Sequence, residues 1–271
     1  MNNFIDADMV KLTGERKREV YEFLSAPYKD RPFFLIKYCK EESHAKGLLN
    51  GNLFIRKAGA YKKIEEETGE RGTGDKNEMS CPVPYGTDCS ITIDALQQTF
   101  KIPIVEGCES SILDLRDLDM LIYCLTWIDY PEIDSIDIYE NEKEIKCDIC
   151  IPLKHMDTEE YKYCAVFTDP LAFCTEVKKY IENHNATYLQ GLVIYSSNTQ
   201  QRFNDFANSS ARRFFYKDNF FKGQNEYRIV TDLPEPPNNI IHLGKQIQGF
   251  VFPLDEVQEL AFLHCIKKLK N

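Results

Sequence analysis

The sequence has no long hydrophobic run. Its most apolar stretch, Met120 to Ile128, is far too short to cross a bilayer as a helix, so no membrane partner is expected. The first thirty residues carry Asp6, Asp8, Lys11, Glu15, Arg16 and Lys17 and no apolar segment of the kind that marks a secretory signal, so the expected location is cytoplasmic. Positive charge is in deficit as well. Against 43 acidic residues stand 33 lysines and arginines, a net charge of −10. That balance argues against a broad nucleic-acid footprint and leaves room only for a local basic groove. There is no internal repeat and no low-complexity tail. A phosphate-binding P-loop is missing too. Residues 68 to 78 hold three glycines within six positions, but no Gly-Lys-Ser/Thr follows and no apolar strand precedes. Asp75 and Glu78 in this stretch read as a solvated acidic turn, or else as the lining of a site.

Cysteine is plentiful, with ten residues. Without a secretion signal they read as reduced thiols, mostly buried small hydrophobes. Cys147 and Cys150 make a single CxxC, with His155 and Cys164 downstream. A structural zinc needs four ligands from a compact pair of knuckles, so one CxxC among apolar residues reads first as thiols on a strand. The hydrophobic content of 43% and charged content of 28% are ordinary for a soluble globular protein. A length of 271 residues suits one large or two small domains with ample length for a core, and residues 1–271 read as a single domain with an acidic, polar excursion at about 130–160.

Hydrophobic spacing places the elements. Val20, Phe23 and Leu24 predict a helix over 14–26 that Pro27 stops. Residues 33–39 read as a buried strand in which Lys37 is the one charge. A short helix over 41–50, capped by Gly51, leads to a strand at 53–55 followed by Arg56. Met120 to Ile128 reads as a central strand and 161–167 as another. Asp169 and Pro170 open a helix over 170–183 with Phe173, Val177, Tyr180 and Ile181 on one face. Residues 191–197 form a strand ending in two hydroxyls, and 200–213 a helix. Asp255 to Lys270 reads as a closing helix with Val257, Leu260, Ala261, Leu263 and a packed His264 toward the core. Roughly ten short strands with helices at intervals predict an α+β fold with a mixed or antiparallel β-sheet core and flanking helices.

The stretch with the most chemistry is Gln224 to Val230. Tyr227, Ile229 and Val230 are β-formers, and Asp232, Pro234, Pro236 and Pro237 end the run. In a strand Gln224, Glu226 and Arg228 share one face. An amide and a carboxylate side by side can grip a sugar. The carboxylate accepts a ribose hydroxyl proton and faces developing positive charge. The plainer reading is a half-exposed strand on which Glu226 pairs with Arg228 or with a neighbouring strand.

Three pieces line up in order: the strand around Lys37 with its helix-Gly-strand sequel, Tyr195-Ser196-Ser197, and Gln224-Asn225-Glu226. This order resembles the ADP-ribosyltransferase fold, a split β-sheet core with a basic residue on one strand, aromatic-Ser-Thr-Ser on a second and Gln/Glu-x-Glu on a third. Leu35-Ile-Lys-Tyr38, Gly74-Asp-Lys-Asn-Glu78 and the closing Gln224-Asn-Glu-Tyr-Arg228 are also similar to a large set of bacterial proteins, the DUF2971 type, often predicted to act in defence or as toxins. The resemblance implies an NAD-consuming transferase or glycohydrolase. Glu226 would stabilise an oxocarbenium-like transition state, Ser196 would orient Glu226, and Gln224 would position the acceptor. Lys37 or Arg56 would hold a phosphate or ribose, with Tyr195, Ser197 and Phe215 completing the nucleotide contacts. NAD would be the substrate, and a protein or nucleic acid a possible acceptor. Two departures stand out. Lys37 replaces an arginine or histidine and offers a point charge without the bidentate fork. Ser196-Ser197-Asn198 replaces Ser-Thr-Ser. Two other functions remain open. One is a non-catalytic nucleotide sensor or partner-binding protein of a defence system. The other is a metal-dependent nuclease using Asp75, Glu78 and Glu226.

Overall fold

The computed structural model describes residues 5, 6, 8–69, 74, 75, 77–84, 89–93, 98–102, 111–152, 160–196, 198–257 and 259–268. In chain order the elements are β1 (Val10–Lys11), α1 (Gly14–Ser25), β2 (Phe34–Cys39), α2 (Glu42–Leu49), β3 (Asn52–Phe54), β4 (Arg56–Lys57), α3 (Ala58–Thr68), β5 (Ser80–Pro82), β6 (Cys89–Ile93), β7 (Gln98–Ile102), β8 (Ser111–Leu113) and β9 (Leu121–Ile128). They continue with β10 (Asp137–Glu140), β11 (Glu144–Pro152), β12 (Tyr163–Phe167), α4 (Pro170–Asn183), β13 (Tyr188–Leu192), β14 (Ile194–Tyr195), α5 (Thr199–Ala207), β15 (Tyr216–Lys217), β16 (Glu226–Thr231), β17 (Ile240–His242), β18 (Gly249–Pro253) and β19 (Glu259–Lys267). The chain divides into two compact units. The first comprises Met1–Gly51, Leu125–Cys174 and Gly244–Asn271, and the second Asn52–Cys124 and Thr175–Leu243.

The first unit holds two antiparallel sheets around one core. One has the order β1-β10-β11-β19. The other runs from the second half of β9 through β2 and β12 to β18. Alternation along the strands explains the arrangement. Ile145, Cys147, Ile149 and Ile151 of β11 point one way into the core, with Lys146 and Asp148 between them on the other face. They meet Phe34, Ile36 and Tyr38 of β2, and Phe34 stacks on Phe262 of β19 at 4.4 Å. Helix α1 adds Val20 and Leu24 to the same core. Helix α2 buries Ala45 and Leu48 and packs on β2, β12 and β18.

Two expected elements are wrong. The helix expected over 200–213 stops at Ala207, and Ala211–Phe215 form a 3-10 turn. Residues 259–267 form strand β19, not a closing helix over 255–270. The segment satisfies both periods. Leu260, Ala261, Leu263 and His264 fit a helix, while Leu260, Phe262, His264 and Ile266 alternate as in a strand. Strand β11 decides between them by supplying a partner along all nine residues. His264 is indeed a packed histidine, with Phe33 and Tyr130 at 6.3 and 6.2 Å, and burial lowers its pKa.

The second unit is built on β13, β16 and the first half of β9, with β4 pairing antiparallel to β9. Its core gathers Ala58, Met79, Ile122, Phe214, Phe215 and Val230, with Tyr61 and Leu118 beside them. The protein is therefore α+β with mostly antiparallel sheets, and the short β14–β15 pair is parallel. Among the described residues no helix is long and apolar enough to cross a membrane.

Candidate functional site

The 3-10 turn Asn219–Gln224 ends at Asn225, whose φ of 42° is left-handed, a conformation asparagine tolerates. This kink takes Gln224 out of the strand, and β16 begins at Glu226. Glu226 and Arg228 do share a face. Arg228 Nε donates to Glu226 Oε1 at 2.7 Å. Gln224 is brought alongside by a different route. Lys217 Nζ donates both to Gln224 Oε1 at 2.9 Å and to Glu226 Oε2 at 2.8 Å. The expected half-exposed strand is not observed, because every residue of β16 is buried. Glu226 is 3% exposed and Arg228 0%. Glu226 and Arg228 are thus an ion pair inside the second unit and not on its surface.

The pair extends into a cluster. Arg228 Nη1 donates to Glu78 Oε1 and to the Phe214 carbonyl, both at 2.8 Å, and Nη2 donates to Glu78 Oε2 at 3.3 Å. Lys217 Nζ lies 4.4 Å from the centre of the Phe221 ring. The Glu226 backbone N–H donates to Tyr195 Oη at 2.8 Å. Asp75 lies in the turn that presents Glu78. The Glu78 N–H donates to the Asp75 carbonyl, and Asp75 Oδ1 accepts from Asn77 N–H. Asp75 and Glu78 are 4% and 3% exposed, so this acidic turn is not the solvated one expected.

Charge in this cluster is unequal. Three buried carboxylates, of Asp75, Glu78 and Glu226, share the field of two buried cations, Lys217 and Arg228. Burial alone would raise the pKa of Glu226, but Arg228 and Lys217 outweigh it and hold the carboxylate well below its usual range. Burial alone would lower Lys217 and Arg228, and Glu226 and Glu78 outweigh it in the other direction. The surplus negative charge falls on Asp75. Burial and then the Glu78 charge push its pKa up to about 6. Tyr195, raised to about 12 chiefly by burial, stays a neutral phenol.

Glu226, Gln224 and Tyr195 therefore come together in the second unit. Phe215 is there too, buried in the core. It would stand 3.4 Å from a Cβ placed on Gly191. Arg56 lies on β4 with its guanidinium 5.8 Å from the centre of the Phe54 ring. The Ser196 hydroxyl accepts from Asn198 N–H at 3.0 Å in the turn before α5. Glu226 is oriented instead by Lys217 and Arg228. Ser197 lies outside the described residues. Lys37 is on β2 of the first unit, opposite Ala165 and on the strand face of Leu35 and Cys39.

Lys217 is the residue that sequence reasoning missed. Its signal was a lysine set between Phe214-Phe215-Tyr216 and Phe220-Phe221, a charge that so apolar a neighbourhood must pair. The carboxylates do not fit a metal, since Arg228 stands between Glu78 and Glu226 and donates to both. Among the described residues no group of three or more His, Cys, Asp or Glu could hold a metal ion. Cys147 is buried and Cys150 exposed, on opposite faces of β11, and His155 lies outside the described residues. A cavity of about 320 Å³ in the second unit is lined by Ile112, Phe203, Phe206 and Arg213 among others, and by none of the Glu226 cluster. No family model, no curated protein and no solved structure matches this chain.

Proposed function

We propose that the chain cleaves the nicotinamide–ribose bond of NAD, as an ADP-ribosyltransferase or NAD glycohydrolase acting as a toxin or antiphage effector. The observation that supports this reading is the pairing of Gln224 and Glu226 on the Lys217 ammonium, with Glu226 held ionised. Glycosidic cleavage needs such a carboxylate. The C1′–N bond breaks, nicotinamide leaves with the bonding pair, and positive charge develops on the ribose beside Glu226. Water or an acceptor nucleophile then attacks C1′ and loses a proton. Gln224 positions that nucleophile, and Tyr195 fixes the backbone at the start of β16. Arg56, Ser197 and Phe215 are the remaining nucleotide contacts of this proposal.

A non-catalytic reading, a nucleotide- or partner-binding protein of a defence system, has its own specific support. Glu226 is nearly inaccessible, and each of its oxygens already holds a cation, so less of its charge is left for an oxocarbenium ion. One experiment separates the two. The purified protein is incubated with NAD and free nicotinamide is followed, with Glu226→Gln in parallel and NAD binding measured by calorimetry. Release by the wild type and its loss in the variant is the expected result. No release with measurable binding supports the sensor, and neither release nor binding rejects both nucleotide readings.

A further inference from the structure

Strand β19 closes the four-stranded sheet of the first unit. It pairs with β11 over its whole length, from Glu259 opposite Pro152 to Lys267 opposite Glu144. Among the described residues it pairs with no strand on its other side. Nine consecutive residues therefore form an edge, and a free edge of that length is a template for another chain. Leu260, Phe262, His264 and Ile266 turn toward the core. Glu259, Ala261, Leu263, Cys265 and Lys267 are exposed, Leu263 at 37%.

We propose that β19 pairs antiparallel with β19 of a second copy of this chain, about a two-fold axis through Leu263. The strand is complementary to itself in that register. Glu259 stands opposite Lys267, Leu260 opposite Ile266, Ala261 opposite Cys265, Phe262 opposite His264, and Leu263 opposite its own copy. Outward side chains meet outward ones, and core-facing ones meet core-facing ones. Symmetry makes the Glu259–Lys267 pair twice, once at each end, as an isologous interface requires. Other registers lose this match. Moving the axis to Phe262 puts Glu259 opposite Cys265, and moving it to His264 puts Lys267 opposite Ala261. Placing it between Leu263 and His264 sets outward residues against core-facing ones. The charges at the ends of the strand, which discourage pairing with unrelated edges, thus select this partner. The four strands of each copy join into one continuous sheet.

The full-length protein at tens of micromolar is measured by size-exclusion chromatography with light scattering. One chain is 31.5 kDa, and the expected mass is twice that. Lys267→Glu sets two glutamates opposite each other at both ends and is expected to weaken the dimer about ten-fold or more. The double change Glu259→Lys with Lys267→Glu restores the pairing and the dimer. Leu263→Lys, which places two ammonium groups at the axis, gives a monomer. These are exposed positions, and circular dichroism confirms that each variant keeps its fold. A wild-type mass of one chain overturns the proposal. So does a dimer indifferent to Lys267→Glu and Leu263→Lys, or a charge swap that fails to rescue.

Discussion

Arg228 ties β16 to the turn that carries Glu78. It holds Glu226 and Glu78 at once and is itself wholly buried. Removing one partner of a buried ion pair leaves the other charge uncompensated. Arg228→Met is therefore expected to cost about 3–5 kcal/mol in urea unfolding. Asp75 gives the opposite kind of effect. Its folded pKa of about 6 lies above the ordinary value of 3.8. Between those values the folded chain holds a proton that the unfolded chain has released, so stability falls as pH rises from about 4 to 6. Asp75→Asn keeps an acceptor for the Asn77 N–H and removes the surplus charge. It is expected to stabilise the protein by on the order of 2 kcal/mol above pH 6, with the gain vanishing below pH 4. Melting curves across that range check it, and a gain that persists at pH 4 refutes it. At this scale the sequence singled out Glu226, Gln224 and Tyr195, and the fold brings these three side chains together. The sequence did not announce that Lys217 would reach Gln224 and Glu226, because the turn at Asn225 takes Gln224 off the strand.

Among the elements, helices and central strands were the most legible. The helix over 170–183 and the strand near 120–128 formed where their apolar spacing placed them. Strand β19 did not, since its residues suit either period and only the length of β11 beside it resolves the choice. Close approach between elements was illegible as well. A Cβ on Gly249 would lie 2.3 Å from the Val166 carbonyl oxygen and 2.9 Å from Leu49 Cδ2. The ladder between β12 and β18 and the packing of α2 would both have to shift. Gly249→Ala is expected to destabilise by about 1–3 kcal/mol, the usual range for overpacking. Chemical denaturation measures this, and a neutral result would mean that β18 moves freely on β12.

For the molecule as a whole, pairing through β19 ties folding to concentration. A dimer that forms only from folded chains raises the melting temperature as protein concentration rises. Calorimetry over a hundred-fold dilution is expected to show that dependence in the wild type and to lose it in Lys267→Glu. An equal slope in both would place self-association elsewhere.

The sequence by itself determined the α+β composition, most helices, the buried central strands and the suspicion attached to Glu226. Each of these depends on local periodicity or on residue type, which the chain carries without reference to distant partners. The tertiary structure alone decided which charges meet. Glu78 reaches Arg228 across 150 positions of sequence, and Lys217 settles between Gln224 and Glu226. It also decided that β19 is a strand. Buried ions must find partners wherever the fold brings them, and a strand exists only through the neighbour that bonds it, so neither is written in any one segment.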